Sequence, residues 1–440
     1  GNPYYIDLDM LIADGLLKRK DVTAVNWGDK ESLVDYAALY ENRFEVLRKA
    51  YKKGFERDRD KVLSFCAEKQ SWIYDYALYM ALKRHFKMKP WSEWPSDIRL
   101  RKPAALEKYK EKLKKDVDFF IYIQYLFYSQ WKALKAYAGE KGIKIIGDMP
   151  IYVAYDSADC WAEPNWFYLD EENVPVEVAG VPPDYFNENG QLWGNPLYRW
   201  DAMRRDGYGW WIRRIGAAFE LFDVVRLDHF RGFDSYWAVA FGEETAKKGR
   251  WVKGPGFDFV YAVKNWFYGK DFIAEDLGIL TDDVRELLEL SGFPGMKVME
   301  FSLDAGNPDG LPYNFGYNTV CYSGTHDNSP VLGWLKDVKA EKNSDPKSMS
   351  HFKYIKKYLG LNDEEGFAYG IIRGGMASPC RILIAQMQDF LELDEKSRMN
   401  TPGNPEGNWR WRLKKGELKS ALAKRILEVT RIYGRNGERG

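Results

Sequence analysis

The chain has 440 residues, with 65 basic and 65 acidic side chains and a formal net charge of zero. That balance does not point to nucleic acid or an acidic membrane as a partner, and no apolar run approaches the roughly 20 residues of a membrane span. The length suits one elaborated barrel or two to three ordinary domains, with ample material for a large core.

The first residues, Gly1-Asn2-Pro3, lead through Tyr4-Tyr5-Ile6-Asp7-Leu8 into a helix ending near Leu17. Residues 30–140 read as mostly helical. Ser71 to Leu82 is amphipathic, Trp91-Ser92-Glu93-Trp94-Pro95 interrupts the pattern, and Lys102 to Gly139 carries apolar residues at helical spacing with Lys and Glu opposite. This block is expected as an inserted helical subdomain with a solvated charged face. From residue 141 strands and helices alternate, the mark of βαβ units. The strand candidates are 143–149, 223–228, 271–276, 296–301, 318–325 and 381–388. Thr281 to Leu290 reads as a helix with a Thr cap and acids in its first turn. A loop-rich insertion, 151–207, separates the first two strands. Residues 242–256 read as a lid loop with glycine hinges, although an ordinary surface loop has the same texture.

Several of these strands end in acid: Asp148, Asp228, Glu275-Asp276 and His326-Asp327. In Val224-Val225-Arg226-Leu227-Asp228, residues two apart share a face of the strand, so Arg226 and Asp228 point the same way. A fixed cation keeps a neighbouring carboxylate ionised, which a carboxylate nucleophile needs. A structural ion pair, or an Asp capping the next helix, would produce the same local pattern. In an α/β barrel all parallel strands deliver their C-terminal ends to one face, where active sites sit. The four cysteines, Cys66, Cys160, Cys321 and Cys380, are far apart and have no metal spacing. They read as reduced core residues of a cytosolic protein with no signal peptide. Aromatics make up 16% of the chain, enough for both core packing and flat platforms with polar handles.

Longer stretches carry a resemblance. They include Gly147-Asp148-Met149-Pro150-Ile151-Tyr152-Val153, Asp156-Ser157-Ala158-Asp159, Ala179-Gly180-Val181-Pro182-Pro183-Asp184-Tyr185-Phe186 and Gly190-Gln191-Leu192-Trp193-Gly194-Asn195-Pro196-Leu197-Tyr198. They continue in Arg226-Leu227-Asp228-His229-Phe230-Arg231-Gly232, Ala274-Glu275-Asp276-Leu277-Gly278, Gly292-Phe293-Pro294-Gly295-Met296-Lys297-Val298, Gly324-Thr325-His326-Asp327-Asn328 and Arg398-Met399-Asn400-Thr401-Pro402-Gly403. With these the chain resembles the amylomaltases, 4-α-glucanotransferases of the α-amylase superfamily, strongly over 1–10 and 141–415 and weakly over 30–140. Ser329-Pro330 and Ala240-Phe241 depart from the pattern of the family.

The resemblance implies an α/β fold, a (β/α)₈ TIM barrel with inserted helical and loop-rich subdomains. The strand candidates would be barrel strands three to eight, the first two being absent from the sequence. On that reading 1–29 is a barrel segment, 30–140 the inserted helical subdomain and 141–440 the main catalytic barrel. It also implies a retaining double displacement, in which two carboxyl groups about 5 Å apart flank the glycosidic bond. Asp228 is then the nucleophile, kept ionised by Arg226. Glu275 is the general acid and then base, its pKa raised by a neighbouring anion such as Asp276 or Asp327. Asp327 is the third carboxylate, binding sugar hydroxyls. Arg226, His326, Asp148, Gln191, Trp193 and Asp276 are the implied substrate contacts. The partners implied are α-1,4-glucans and maltooligosaccharides, with glucose as an acceptor, in a monomer or homodimer without metal, cofactor, nucleic acid or membrane. The cytoplasm is the expected location, or a plastid in a plant or alga. Three alternatives share these residues: a starch hydrolase of the same superfamily, a divalent-metal enzyme using Asp228-His229, Glu275-Asp276 and His326-Asp327 as ligands, and a non-catalytic glucan-binding protein.

Overall fold

The structure is a computed structural model that describes residues 1–183, 187–278, 280–341, 349–404 and 406–437. Asp184, Tyr185 and Phe186 of the motif after Val181 lie outside the described residues. The chain is a mixed α/β protein and forms two compact units. One comprises Gly1–Trp27, Tyr36–Phe272 and Leu280–Ser291; the other comprises Gly28–Asp35, Ile273–Ile279 and Gly292–Gly440. Among the described residues no helix is long and apolar enough to cross a membrane.

In the first unit, helices fill most of 36–140, as the apolar spacing predicts. Helix Ile73–His85 buries Ile73, Ala77, Leu78, Ala81 and Leu82, a stripe of three-to-four-residue period. It packs on the long helix Lys114–Glu140, which buries Phe119, Phe120, Ile123, Leu126 and Phe127. Each such side chain contributes about 1.5–3 kcal/mol by leaving water. Lys83, Arg84 and His85 in the last turn of Ile73–His85 complement the negative end of its dipole. Lys87 and Met88 then take left-handed conformations that end it. Asp156 anchors this block to the loops after the first strand. It accepts hydrogen bonds from Tyr79 Oη at 2.8 Å, Lys83 Nζ at 2.6 Å and the Trp91 amide at 3.1 Å. A buried lysine needs such a partner, so the Asp156-Ser157-Ala158-Asp159 motif serves architecture at its first residue.

The strands are, in order, β1 (Ile146–Met149), β2 (Glu177–Val181), β3 (Gln191–Pro196), β4 (Val224–Leu227), β5 (Ser235–Ala240), β6 (Gly249–Lys253), β7 (Asp271–Ala274), β8 (Gly295–Val298), β9 (Thr319–Tyr322) and β10 (Ile382–Ile384). The first sheet runs β1-β4-β7. β1 and β4 are parallel, and their register pairs Asp148 with Arg226. The division between the two units passes through β7. In the second unit β10-β9-β8 form a parallel sheet, covered by a core that includes Met299, Leu303, Cys321, Val331, Leu335, Ile355 and Ile371. The Ala274 amide also bonds the Pro294 carbonyl at 2.9 Å, tying the end of β7 to the residue before β8.

The six expected strands are all present and shorter than expected. The 296–301 candidate stops at Val298 because Met299–Ser302 forms a helical turn that buries Met299, Glu300 and Ser302. The 381–388 candidate stops at Ile384, before the turn Met387–Phe390. The loop-rich insertion holds more order than its composition suggests: β3-β2-β5-β6 form an antiparallel sheet. Residues 242–256, expected as a loop, include β6, paired with β5 from Ser235↔Lys253 to Val239↔Gly249. Gly180 permits the close approach of β2 and β3, since a Cβ there would lie 2.6 Å from the Gln191 carbonyl oxygen. Residues 28–35 pair with 410–412 in the second unit, through Val34 N to Arg410 O at 2.6 Å and Arg412 N to Ser32 O at 3.0 Å.

Candidate functional site

In the first unit the charged ends of β1 and β4 meet around one guanidinium. Arg226 Nη1 donates to Asp148 Oδ1 at 2.5 Å, and Arg226 Nη2 lies 3.3 Å from Asp228 Oδ1. The cause is register: Asp148 and Arg226 are opposite one another, and Asp228 is two residues further along the same face. The Arg226 side chain is only 11% exposed, whereas those of Asp148 and Asp228 are 42% and 36% exposed. A cation committed to two carboxylates in a partly dry setting holds both in place. The Asp228 amide bonds the Met149 carbonyl at 3.1 Å, which fixes the backbone where the strand ends.

Beside this cluster the chain turns sharply at His229, which adopts a left-handed conformation with φ 48°. Such a conformation costs a non-glycine residue about 1–2 kcal/mol and is held by tight packing. A Cβ on Gly232 would lie 2.7 Å from Ile151 Cδ1 and 3.0 Å from His229 Cδ2. Burial pushes the imidazole down to about 4, with Arg231 adding to the effect, so His229 is neutral at neutral pH. Its ring meets Trp193 edge-on, centroids 4.9 Å apart. Trp193 Nε1 donates to Gln191 Oε1 at 3.2 Å, and Tyr152 lies 6.2 Å from the same indole. Gln191 and Trp193 therefore form one polar-edged aromatic surface on β3, backed by a neutral histidine.

In the second unit Glu275 and Asp276 follow β7 and differ in setting. Glu275 is half-buried, and its Oε1 accepts the Leu277 amide at 2.8 Å. Asp276 is buried and accepts the Met296 amide at 2.6 Å. A Cβ on Gly295 would fall 2.7–2.9 Å from the Asp276 carboxylate, so glycine lets the acid reach β8. Asp276 is thus engaged with backbone, a role its position next to Glu275 does not reveal.

After β9, the Thr325-His326-Asp327-Asn328 segment folds on its own side chains. Asn328 Oδ1 accepts from Thr325 N at 2.9 Å and Thr325 Oγ1 at 2.7 Å, and Thr325 Oγ1 accepts from the Asp327 amide at 3.2 Å. Asn400 Nδ2 donates to Asp327 Oδ1 at 2.5 Å, and Arg398 donates to the Asp327 carbonyl. His326 Nε2 is 3.6 Å from Asp327 Oδ2, and its ring lies 5.1 Å from that of Trp409. Trp409 is half exposed and went unmarked in the sequence; its only signal there was an indole just beyond the Pro402-Gly403 turn.

The sequence-derived residues divide between the units. Asp148, Gln191, Trp193, Arg226 and Asp228 belong to the first, and Glu275, Asp276, His326 and Asp327 to the second. Among the described residues no three His, Cys, Asp or Glu side chains group as a metal site. The first unit presents Asp148 and Asp228 at strand ends, with Trp193 on β3; the second presents Glu275 after β7 and Asp327 after β9, with His326 against Trp409. Carboxylates so placed can stabilise positive charge developing on a bound molecule.

Comparison with known proteins agrees with this chemistry. The sequence profile of the 4-alpha-glucanotransferase family matches residues 1–419. A 4-alpha-glucanotransferase of Clostridium butyricum is 44% identical over 438 residues, 99% of this chain and 88% of that protein. One of Thermus thermophilus is 43% identical over 431 residues, 95% of this chain and 83% of that protein. The amylomaltase of Streptococcus agalactiae, solved in complex with acarbose, superposes with a TM-score of 0.93 at 38% identity, covering 99% of this chain and 87% of that one. The chain belongs to the 4-alpha-glucanotransferase family.

Proposed function

We infer that this protein is a glycosyltransferase that moves α-1,4-glucan segments between maltooligosaccharides or starch chains. The family match over nearly the whole chain carries that reading. For the chemistry, the supporting observation is Arg226 held between Asp148 and Asp228. The fold that suits this arrangement is a (β/α)₈ barrel with inserted subdomains, in which β1, β4, β7, β8, β9 and β10 stand as strands three to eight.

The reaction proceeds in two displacements. A carboxylate oxygen of Asp228 attacks the anomeric carbon, the glycosidic bond breaks, and the leaving oxygen takes the proton of Glu275. A 4-hydroxyl of the acceptor, glucose included, then attacks the glycosyl ester. Glu275 takes its proton back and Asp228 leaves as carboxylate. Asp327 and His326 hold hydroxyls of the reacting sugar, and Asp148, Gln191 and Trp193 contact the flanking ones. Arg226 keeps Asp228 ionised between turnovers. The segment 242–256 and the Pro402-Gly403 turn exclude water, so a sugar rather than hydroxide resolves the intermediate. The cytoplasm, or a plastid in a plant or alga, suits the four buried free cysteines.

Purified protein incubated with maltotriose tests the reading. Transfer gives glucose together with chains longer than maltotriose. Glucose and maltose alone would leave only hydrolysis.

A further inference from the structure

The helical turn that interrupts the expected strand after β8 puts a second kind of acid in the molecule. Glu300 is buried at 8% exposure. Its Oε2 accepts a hydrogen bond from Asn328 Nδ2 at 3.0 Å, and its Oε1 is buried without a hydrogen-bond partner. Asn328 is the residue whose carbonyl oxygen collects both Thr325 hydrogen bonds, and Thr325 Oγ1 holds the Asp327 amide. A continuous chain of short contacts therefore runs from Glu300 through Asn328 and Thr325 to the backbone of Asp327. The packing behind it is close. A Cβ on Gly324 would lie 2.8 Å from both Glu300 Oε1 and Gln386 Nε2, and that amide itself donates to the Thr325 carbonyl at 3.1 Å.

We propose that Glu300 is a positioning residue for the transfer reaction: through Asn328 and Thr325 it fixes the turn that presents the Asp327 carboxylate. This rests on the role assigned above to Asp327. Glu300 does so as a neutral acid. Burial raises its pKa to about 9, the nearby Asp389 carboxyl adds to the rise, and Asn328 and the Arg398 guanidinium oppose it. Asp389, fully buried, is itself pushed up by burial while it accepts from Ser323 Oγ at 2.6 Å and the Val331 amide at 2.8 Å. Asp389 and Arg398 are the charged groups facing Glu300. Arg398 is already engaged with the Asp327 and Asn400 carbonyls. An ionised Glu300 would be a buried anion without a close counter-charge, so its loss of a proton should distort the turn.

The experiment is the pH profile of kcat/KM and of kcat for maltotriose disproportionation in wild type, Glu300→Gln and Glu300→Ala, with Asp327→Asn as reference. Loss of the Glu300 proton near pH 9 steepens the alkaline limb of the wild type there. Glu300→Gln keeps an uncharged group of the same shape. It retains activity within about threefold at pH 7, since an isosteric amide preserves the contact, and lacks the steepening near pH 9. Glu300→Ala lowers kcat by about 10²-fold, the effect of a reacting group displaced by roughly 1 Å. A Glu300→Gln profile that steepens as the wild type does overturns the proposal, even if Glu300→Ala does not fold. Full activity in Asp327→Asn overturns instead the role of Asp327.

Discussion

Two pairs of acids in this chain meet opposite fates. Asp148 and Asp228 share the Arg226 guanidinium and keep more than a third of their side-chain surface in contact with solvent. Glu300 and Asp389 are buried and form no ion pair among the described residues; burial drives the carboxyls of both toward the neutral form, and Asp389 adds to the effect on Glu300. Residue type is the same and the outcome differs because burial charges an acid heavily unless a cation is buried with it. The first pair is fit for chemistry that needs a negative charge at the surface. The second is fit for holding geometry without adding a field. Carboxyl groups of one fold thus stay exposed beside the Arg226 guanidinium at the ends of β1 and β4, and are pushed toward the neutral form where they are buried at Glu300 and Asp389.

The largest effect should come from breaking the reagent side. Asp228→Asn removes the attacking oxygen's charge while preserving shape, and kcat should fall by on the order of 10⁴-fold, as for other residues that react directly. The thermal midpoint of the variant should stay near that of wild type. A loss of less than tenfold would mean that Asp228 belongs with the scaffold acids. A smaller effect is expected from Arg226→Lys. A lysine is a point charge and does not span two carboxylates as a planar fork does, so a loss of about 10²-fold in kcat is expected, comparable with removing one preorganised electrostatic contact.

The reagent side was far more legible in the sequence than the scaffold side. Arg226 and Asp228 are two apart on a strand, and period two alone puts them on one face. Their meeting with Asp148 followed from β1 and β4 pairing in register. Glu300 was hidden because Met296 to Phe301 reads as one strand, where every second residue would face away from the core. Its burial depends on Asn328 and Asp389, residues remote in sequence. The four-stranded antiparallel sheet was hidden for a local reason. Gly180, Gly194 and Pro196 interrupt any alternation in β2 and β3, and their pairing is set by the close approach at Gly180. Sequence adjacency also made Glu275 and Asp276 look equivalent, whereas Glu275 is half-buried and bonds the nearby Leu277 amide, and Asp276 is buried and reaches the Met296 amide of β8.

The finest test of the contrast is thermodynamic, because a buried acid that keeps its proton makes stability depend on pH and an amide in its place does not. Glu300 has a native pKa of about 9, above the ordinary value of 4.5, so the native state keeps its proton after the unfolded chain has lost it. Stability from this source is complete below about pH 4.5 and is lost as pH rises toward about 9, at up to about 1.4 kcal/mol per unit. Glu300→Gln has no such proton to lose. The difference in thermal midpoint between Glu300→Gln and wild type should therefore move by a few degrees in favour of the variant between pH 5 and pH 8, on the scale of roughly 2–4 °C per kcal/mol or less for a chain of this size. Parallel curves for Glu300→Gln and wild type would mean that Glu300 is ionised in the folded protein, and the distinction between reagent and scaffold acids would fail.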